Sequence, residues 1–556
     1  MKNKNLIDRS IRPVLTLLAA TAATLLAGQA QAFKLDTGNE DVEVRFDNTV
    51  KYNAGLRMED RDRRIADTWV YQAGEYGFNK GDLVTNRIDL LSEFDVVYKN
   101  YHGFRLSAAA WKDAAYDKKV RGNPAYQAAG LGTAYPNNRF PNTVSRYYTQ
   151  SGELLDAFVF TRINFDDMPL SLKAGKHTLY WGESLFSPIH GVSYGQSPLD
   201  LRKGVATPGI DAKELFLPTK QISAHFQINP KLSMAAQLPL EWAPTRFYEG
   251  GTYFTAADFL FQGGTTLKPA PGVAIPYLGN LKTGPNAVPK NKGSYGLMMK
   301  GQVEPIDSTV GFYVRRFDDV APSVLAGSTG LYNAYAKEVK LMGVSLAKSV
   351  AGVAVGAELV HRQNAALQNK GGQQKIARGD SWTGLVNALA YVGKTPLFDS
   401  ATLLAEATFT KLDKVNADSV ALFDSCENTG AERRTGCATK SSLGMSLAFT
   451  PTWFQVFPSI DLTLPMNYSR GLSGNSPIGP AGGVKNDGSW SIGVGAEYKG
   501  QYKIDLAYRD YFGTLVEAPN PYAATPGISP VGIASGSSNG VLKDRGWLSL
   551  TLKTTF

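Results

Sequence analysis

The sequence predicts an all-β fold: a transmembrane antiparallel β-barrel of about eighteen strands, with long outer loops and one loop folded inward. Three observations predict it. Apolar and polar residues alternate with period two in stretch after stretch, the connections between the stretches alternate between long and short, and no later run approaches the roughly 18 apolar residues a membrane helix needs.

The amino terminus supplies the compartment. Lys2, Lys4, Arg9 and Arg12 precede an apolar run from Val14 to Ala27, and Ala30-Gln31-Ala32 offers small residues for cleavage before Phe33. Residues 1–32 therefore read as a secretory signal peptide, and 33–556 as the barrel. Without residues 1–32 the net charge falls from +9 to +6.

Positions 42–59 set the pattern. Val42, Val44, Phe46, Val50, Tyr52, Leu56 and Met58 share one face, and Glu43, Arg45, Asp47, Lys51, Asn53 and Arg57 the other. A soluble sandwich shows the same period, so the whole chain has to decide which solvent meets the apolar side. Comparable stretches lie near 86–98, 103–112, 153–165, 170–180, 220–228, 232–241, 293–303, 309–317, 338–348, 352–362, 381–392, 400–411, 441–450, 459–469, 487–498, 502–511 and 546–556. Short connections such as 99–102, 166–169 and 499–501 alternate with long ones such as 59–85, 113–152, 181–219 and 242–292. Short periplasmic turns, long outer loops and an even strand count are the pattern of bacterial outer-membrane barrels, with both termini periplasmic. Aromatic residues gather beside the short turns: Tyr98, Tyr101, Phe165, Trp453, Phe454, Phe457, Tyr498 and Tyr502.

The last strand, GWLSLTLKTTF, places Leu548, Leu550, Leu552 and Phe556 on one side. A closed barrel leaves no sheet edge in hydrocarbon, so this strand is expected to pair with the first. The terminal phenylalanine after alternating apolar positions resembles the signal read by the barrel-assembly machinery. The expected setting is the outer membrane of a Gram-negative bacterium, with membrane lipids, lipopolysaccharide and that machinery as partners.

Cys426 and Cys437, the two cysteines, read as one local disulfide stapling an exposed outer loop. Two thiols without nearby histidines do not make a zinc site, and His177 and His190 lack metal-ligand spacing, so no metal or cofactor is expected. The strings Gly191-Val192-Ser193-Tyr194-Gly195 and Gly536-Ser537-Ser538-Asn539-Gly540 lack the strand-turn-helix setting of a hydrolase nucleophile, so no enzyme is predicted. Nothing suggests a nucleic-acid groove.

Residues 181–219 are the least barrel-like stretch. Helix cues at Ser197-Pro198-Leu199 and Asp211–Phe216 sit among glycine and proline, and Leu201, Leu215 and Phe216 make the segment too apolar for a solvated tail. The expectation is a loop folded into the lumen that narrows it. Trp181, Glu183, Asp200, Arg202, Lys213 and Glu214 would fix its fold, and Leu201, Leu215 and Phe216 would offer apolar contacts to a solute. The remaining lumen face mixes Arg87, Arg315 and Arg362 with Asp89, Glu358 and Glu406, which reads as a lattice of ion pairs rather than an electrostatic filter.

Within 170–260 the chain resembles the family catalogued as domain of unknown function 1302. The resemblance rests on Trp181-Gly182-Glu183, on Asp200-Leu201-Arg202 with Pro208-Gly209, and on Tyr253-Phe254 with Asp258-Phe259. It implies a proteobacterial outer-membrane protein associated with uptake of hydrophobic compounds, whether aromatic, steroid-like or long-chain. It also implies an outer-membrane lipoprotein and an RND-type transporter as partners. Two channel readings follow: a constricted barrel passing hydrophobic small molecules by passive diffusion, or a general diffusion porin for small polar solutes.

Overall fold

The computed structural model describes residues 33–116, 119–129, 135, 138–207, 210, 212–258, 260, 287–290, 293–327, 330–430, 433–479 and 483–556. The expected signal peptide lies outside them, as do Pro208, Gly209 and Phe259. Among the described residues, twenty hydrogen-bonded strands form one sheet. One is a short flap, Phe33–Leu35, and two others are halves of a single interrupted strand, so eighteen build the barrel.

In chain order the barrel strands are β1 (Val42–Arg57), β2 (Leu83–Tyr98), β3 (His102–Asp113), β4 (Gln150–Phe165), β5 (Met168–His177), β6 (Thr219–Asn229), β7 (Leu232–Pro239), β8 (Tyr295–Val303) and β9 (Ser308–Phe317). They continue with β10 (Val339–Val350), β11 (Val353–Ala366), β12 (Arg378–Val392), β13 (Ser400–Val415), β14 (Ser441–Phe457), β15 (Ile460–Thr463 and Met466–Ser473), β16 (Gly488–Tyr498), β17 (Tyr502–Phe512) and β18 (Trp547–Thr555). Each pairs antiparallel with its neighbours, and β1 closes on β18 from Thr49↔Thr555 to Arg57↔Trp547. Beyond that ladder Phe556 and Asn48 exchange both backbone hydrogen bonds.

The polarity is inverted relative to a soluble protein. Ile88, Leu90, Phe312, Val344, Leu359, Val386 and Ile504 are exposed on the outer face, whereas Lys51, Asn53, Arg87, Gln221, Arg315, Glu358 and Glu406 are buried inside. An apolar outer belt of this kind needs hydrocarbon around it. The even positions of β1 face outward and the odd ones inward. Eight short turns end the barrel on one side, several with left-handed residues such as Asn100, Asp166, Asp307 and Ser459. Beside these turns Tyr98, Tyr101, Phe165, Phe454 and Phe457 stay exposed, as an interfacial girdle requires.

The long connections on the other side are structured. Phe78, Tyr116, Tyr148, Tyr253, Phe254 and Trp547 pack one core over the mouth. Under that cap Glu75 binds Arg57 at 2.9 Å and also Arg545, all three almost fully buried. Asp258 accepts from Ala73 N at 2.7 Å and Gly74 N at 3.0 Å. The motif residues Tyr253, Phe254 and Asp258 thus belong to the cap. Hairpins at Ser323–Ala334 and Leu515–Gly536 escape a reading by periodicity because each strand is only five or six residues long.

Cys426 and Cys437 are bonded, 2.04 Å apart, in the connection after β13. The loop is exposed at Glu427, Arg433 and Arg434, while Cys437 itself is 2% exposed.

Candidate functional site

The connection between β5 and β6 is built around two carboxylates of the opposite wall. Glu358 of β11 accepts from the backbone N–H of Glu183, of Ser184 at 3.1 Å and of Val192 at 2.6 Å. Glu406 of β13 accepts from Leu185 at 2.6 Å, Phe186 at 3.3 Å and Ser187 at 2.8 Å. Gly182 lies at φ +91°, and a Cβ there would collide with the Glu358 carboxylate, so this turn of the Trp-Gly-Glu motif requires glycine. Donors from the wall take the carbonyls. Asn387 binds Glu183 O at 2.5 Å, Thr383 binds His190 O at 2.9 Å, and Arg315 binds Val192 O at 2.8 Å and Tyr194 O at 2.6 Å. Arg362 donates to Ile189 O and stacks 4.4 Å from the Tyr194 ring centroid.

Trp181 and Glu183 complete this end. Trp181 is 6% exposed, packed with Val192 and Tyr313, and its backbone N–H donates to Gln196 Oε1 at 2.7 Å. Lys300 of β8 binds the Glu183 carboxylate at 2.8 Å.

The other end reaches the facing wall. Lys51 of β1 donates to both oxygens of Glu214, at 2.9 and 2.8 Å, and both residues are buried. Lys213 pairs with Glu93 of β2. In a ring of eighteen strands, β1 and β2 stand eight and nine places from β11, so the segment runs from one wall across to the other.

Between the ends, Asp200 caps the helix Leu201–Ala206 and binds Arg202 at 2.9 Å and Arg246 at 3.1 Å. Arg246 in turn binds Glu153 of β4 at 2.7 Å. Burial alone would raise the Asp200 carboxyl, but Arg202, Arg246 and Lys203 outweigh it and hold it well below the usual range. The first helix thus starts after Asp200 rather than at Ser197, because Asp200 carries the cap. The second, Ala212–Leu215, delivers Lys213 and Glu214. Asp200 N donates to Leu215 O at 2.8 Å and Leu217 N to Pro198 O at 2.8 Å, tying the two helices into one unit. Leu201, Leu215 and Phe216 are half-buried, and Phe216 packs edge-on against Tyr180. A small open pocket lies beside this unit between Arg87, Trp111, Tyr147, Arg202, Lys203 and Phe254.

Among the described residues, the polar anchors of 178–218 fall on β1, β2, β4, β7 to β13 and β17, and none falls on β14, β15 or β16. Ser446 stands opposite Glu406 in the β13–β14 register, which turns Gly444, Ser446, Ala448 and Thr450 inward. Asn467 and Ser491, bonded at 3.2 Å, continue the same inner face. From Gly444 to Thr450 that sector of the lumen is lined by small, uncharged side chains, and the paired positions Asp461 and Glu497 follow nearer the short turns.

The ion-pair lattice expected from the sequence is only part of the interior. Arg87–Asp89 at 2.7 Å and Arg105–Asp95 at 2.6 Å fit it. Glu358, Glu406, Arg315 and Arg362 do not: they bind backbone of the crossing segment. Alternation shows that such residues face inward but not what a distant loop will offer them, so they were missed as anchors, as were Thr383 and Asn387.

Among solved structures, the chain is similar to OccAB4 of Acinetobacter baumannii, with 10% identity over 95% of this chain and 100% of that one and a TM-score of 0.41. It is similar also to OccK1 (OpdK) of Pseudomonas aeruginosa, with 8% identity over 92% and 98% and a TM-score of 0.39. A BenF-like porin of Pseudomonas fluorescens Pf-5 gives 9% identity over 93% and 98% and a TM-score of 0.41. No curated protein matches the chain. Residues 14–556 match the family model described as "Protein of unknown function (DUF1302)", and the chain belongs to that family.

Proposed function

We propose that the protein is an outer-membrane channel through which small hydrophobic molecules diffuse passively, in a lumen narrowed by residues 181–219. The observation that carries this reading is the segment's course, anchored on β11 to β13 at one end and on β1 and β2 at the other. Pairing inside the barrel supports uncharged cargo: Lys51–Glu214, Lys300–Glu183, Arg87–Asp89 and Lys503–Glu497 cancel one another, leaving little field to select ions. Half-buried Leu201, Leu215 and Phe216 supply apolar contacts. In this reading residues 1–32 direct export, both termini are periplasmic, and the outward Leu548, Leu550 and Leu552 with Phe556 are presented to the assembly machinery. Lipopolysaccharide surrounds the outer rim, and a lipoprotein and an RND-type transporter take the solute onward.

Two measurements test it together. Cells lacking their own porins and expressing the protein should take up the hydrophobic probe 1-N-phenylnaphthylamine faster than cells without it. Liposomes carrying the protein should swell slowly in arabinose. Rapid swelling with no gain in probe entry would instead support the general porin for small polar solutes.

A further inference from the structure

β14 and β15 meet at a rung with a missing bond on each side of β15. Thr452 pairs with Thr463 and Phe449 with Met466, so Pro451 lies opposite Leu464. On the other side Thr463 pairs with Gly495 and Met466 with Ile492, which sets Pro465 opposite Gly493. Leu464 N donates to Pro451 O at 3.0 Å and Gly493 N to Pro465 O at 2.9 Å. Neither proline has an N–H to return the bond. β15 is accordingly interrupted between Thr463 and Met466. Toward the turn the register shifts again between Trp453 and Phe457, with Gln455 at φ +48°.

Proline inside a sheet is ordinarily confined to edges and bulges, and a backbone group left unpaired in hydrocarbon is costly unless water reaches it. Here the inner side of the rung belongs to the lumen sector on which the crossing segment has no anchor. Ala448, Thr450 and Gly493 give it a surface of small side chains. The outer side carries Phe449, Leu464 and the exposed Val494 and Ile492. Trp453, two residues from Pro451 and close to the short turn, places the rung in the periplasmic leaflet.

We propose that β14 and β15 part at Pro451–Leu464 to let a hydrophobic solute leave the lumen sideways into the periplasmic leaflet, an inference that rests on the channel reading above. The route spares such a solute a passage through periplasmic water, and polar solutes and ions keep the axial path.

Pro451→Val with Pro465→Val restores both donors. The Pro451 donor is the one that bridges the parting strands, and its regained bond lowers the parted population roughly fivefold, about 1 kcal/mol at 1.4 kcal/mol per factor of ten, while the Pro465 donor ties β15 to β16. Entry of 1-N-phenylnaphthylamine into porin-deficient cells should fall roughly fivefold, while conductance in planar bilayers stays at the parent value. A second variant, Thr452→Cys with Thr463→Cys in a Cys426→Ser, Cys437→Ser background, should lose probe entry on oxidation and regain it on reduction. Parent-level probe entry in the proline variant and in the oxidised cysteine variant would overturn the lateral exit and leave the channel reading standing. No probe entry through the parent protein would remove the channel reading itself, and the exit with it.

Discussion

Glu358→Ala is the sharpest perturbation of the crossing segment. The substitution removes the acceptor of three backbone N–H groups, those of Glu183, Ser184 and Val192, without touching the segment's own sequence. A hydrogen bond to a charged group is worth about 1.5–3 kcal/mol. Water entering the vacated site recovers part of that, and Glu406 still holds Leu185, Phe186 and Ser187. The net loss is then about 3 kcal/mol, which moves the balance between seated and released segment roughly a hundredfold. Single-channel recording in planar bilayers reads this directly: the variant should show brief excursions to a larger conductance that the parent protein lacks. Lys503→Ala serves as the control, since its pair with Glu497 is exposed and touches no part of the segment. A folded, heat-modifiable Glu358→Ala barrel with parent conductance and no added noise would refute the idea that this carboxylate holds the segment.

Other outcomes follow from the same contacts. Val50→Arg puts a charge on the lipid face at a cost of roughly 2 to 4 kcal/mol and should reduce the yield of folded barrel in outer-membrane fractions, which an unchanged yield would contradict. Alternation alone marks Lys51→Ala as the harmless neighbour, yet it leaves Glu214 buried without its partner, a loss of about 3–5 kcal/mol for the seated segment. It should therefore assemble normally and conduct noisily, and Lys51→Met with Glu214→Gln should restore quiet traces. In the cap, burial pushes the Asp258 and Asp544 carboxyls up to about 7, Asp544 with added repulsion from Glu75, against an ordinary value of 3.8. Both are neutral in acid, and burial opposes their ionisation, so this contribution to cap stability is full below about pH 4 and is lost as the pH rises through 7. Backbone hydrogen exchange in residues 59–82 should be slower at pH 5 than the intrinsic rate change predicts, relative to pH 8, and Asp258→Asn should flatten the difference. Cys426→Ser with Cys437→Ser removes a cross-link of sequence separation 11, worth about 3 kcal/mol in the chain-entropy model, and should speed proteolysis of 416–440 without altering conductance.

The barrel was legible because its strands carry a two-residue period that no other element produces, and because hydrocarbon outside forces the period to be clean. Val50 and Lys51 illustrate it: adjacent in sequence, they meet lipid and a buried glutamate. The break at Leu464-Pro465 was passed over because apolar alternation continues across a proline that removes only a donor. Inside the barrel the sequence said less. Trp181, Glu183, Asp200 and Glu214 could be singled out from a segment too apolar for solvent, but their partners lie as far off as Lys51 and Glu358. A carboxylate that binds amides leaves no complementary charge to find, which is why Glu358 and Glu406 looked like members of an ion-pair lattice. The cap was opaque for a related reason: Glu75, Asp258 and Arg545 converge from three separate loops, and no local pattern relates them.

The central claim is that residues 181–219 cross the lumen and set its width. Replacing 182–217 with a short glycine-serine linker between β5 and β6, and recording conductance of the heat-modifiable barrel in planar bilayers, tests it most directly. A severalfold larger, steady conductance with faster arabinose swelling of liposomes is the predicted result. Parent-level conductance and swelling in a properly folded barrel would show that the segment does not narrow the channel.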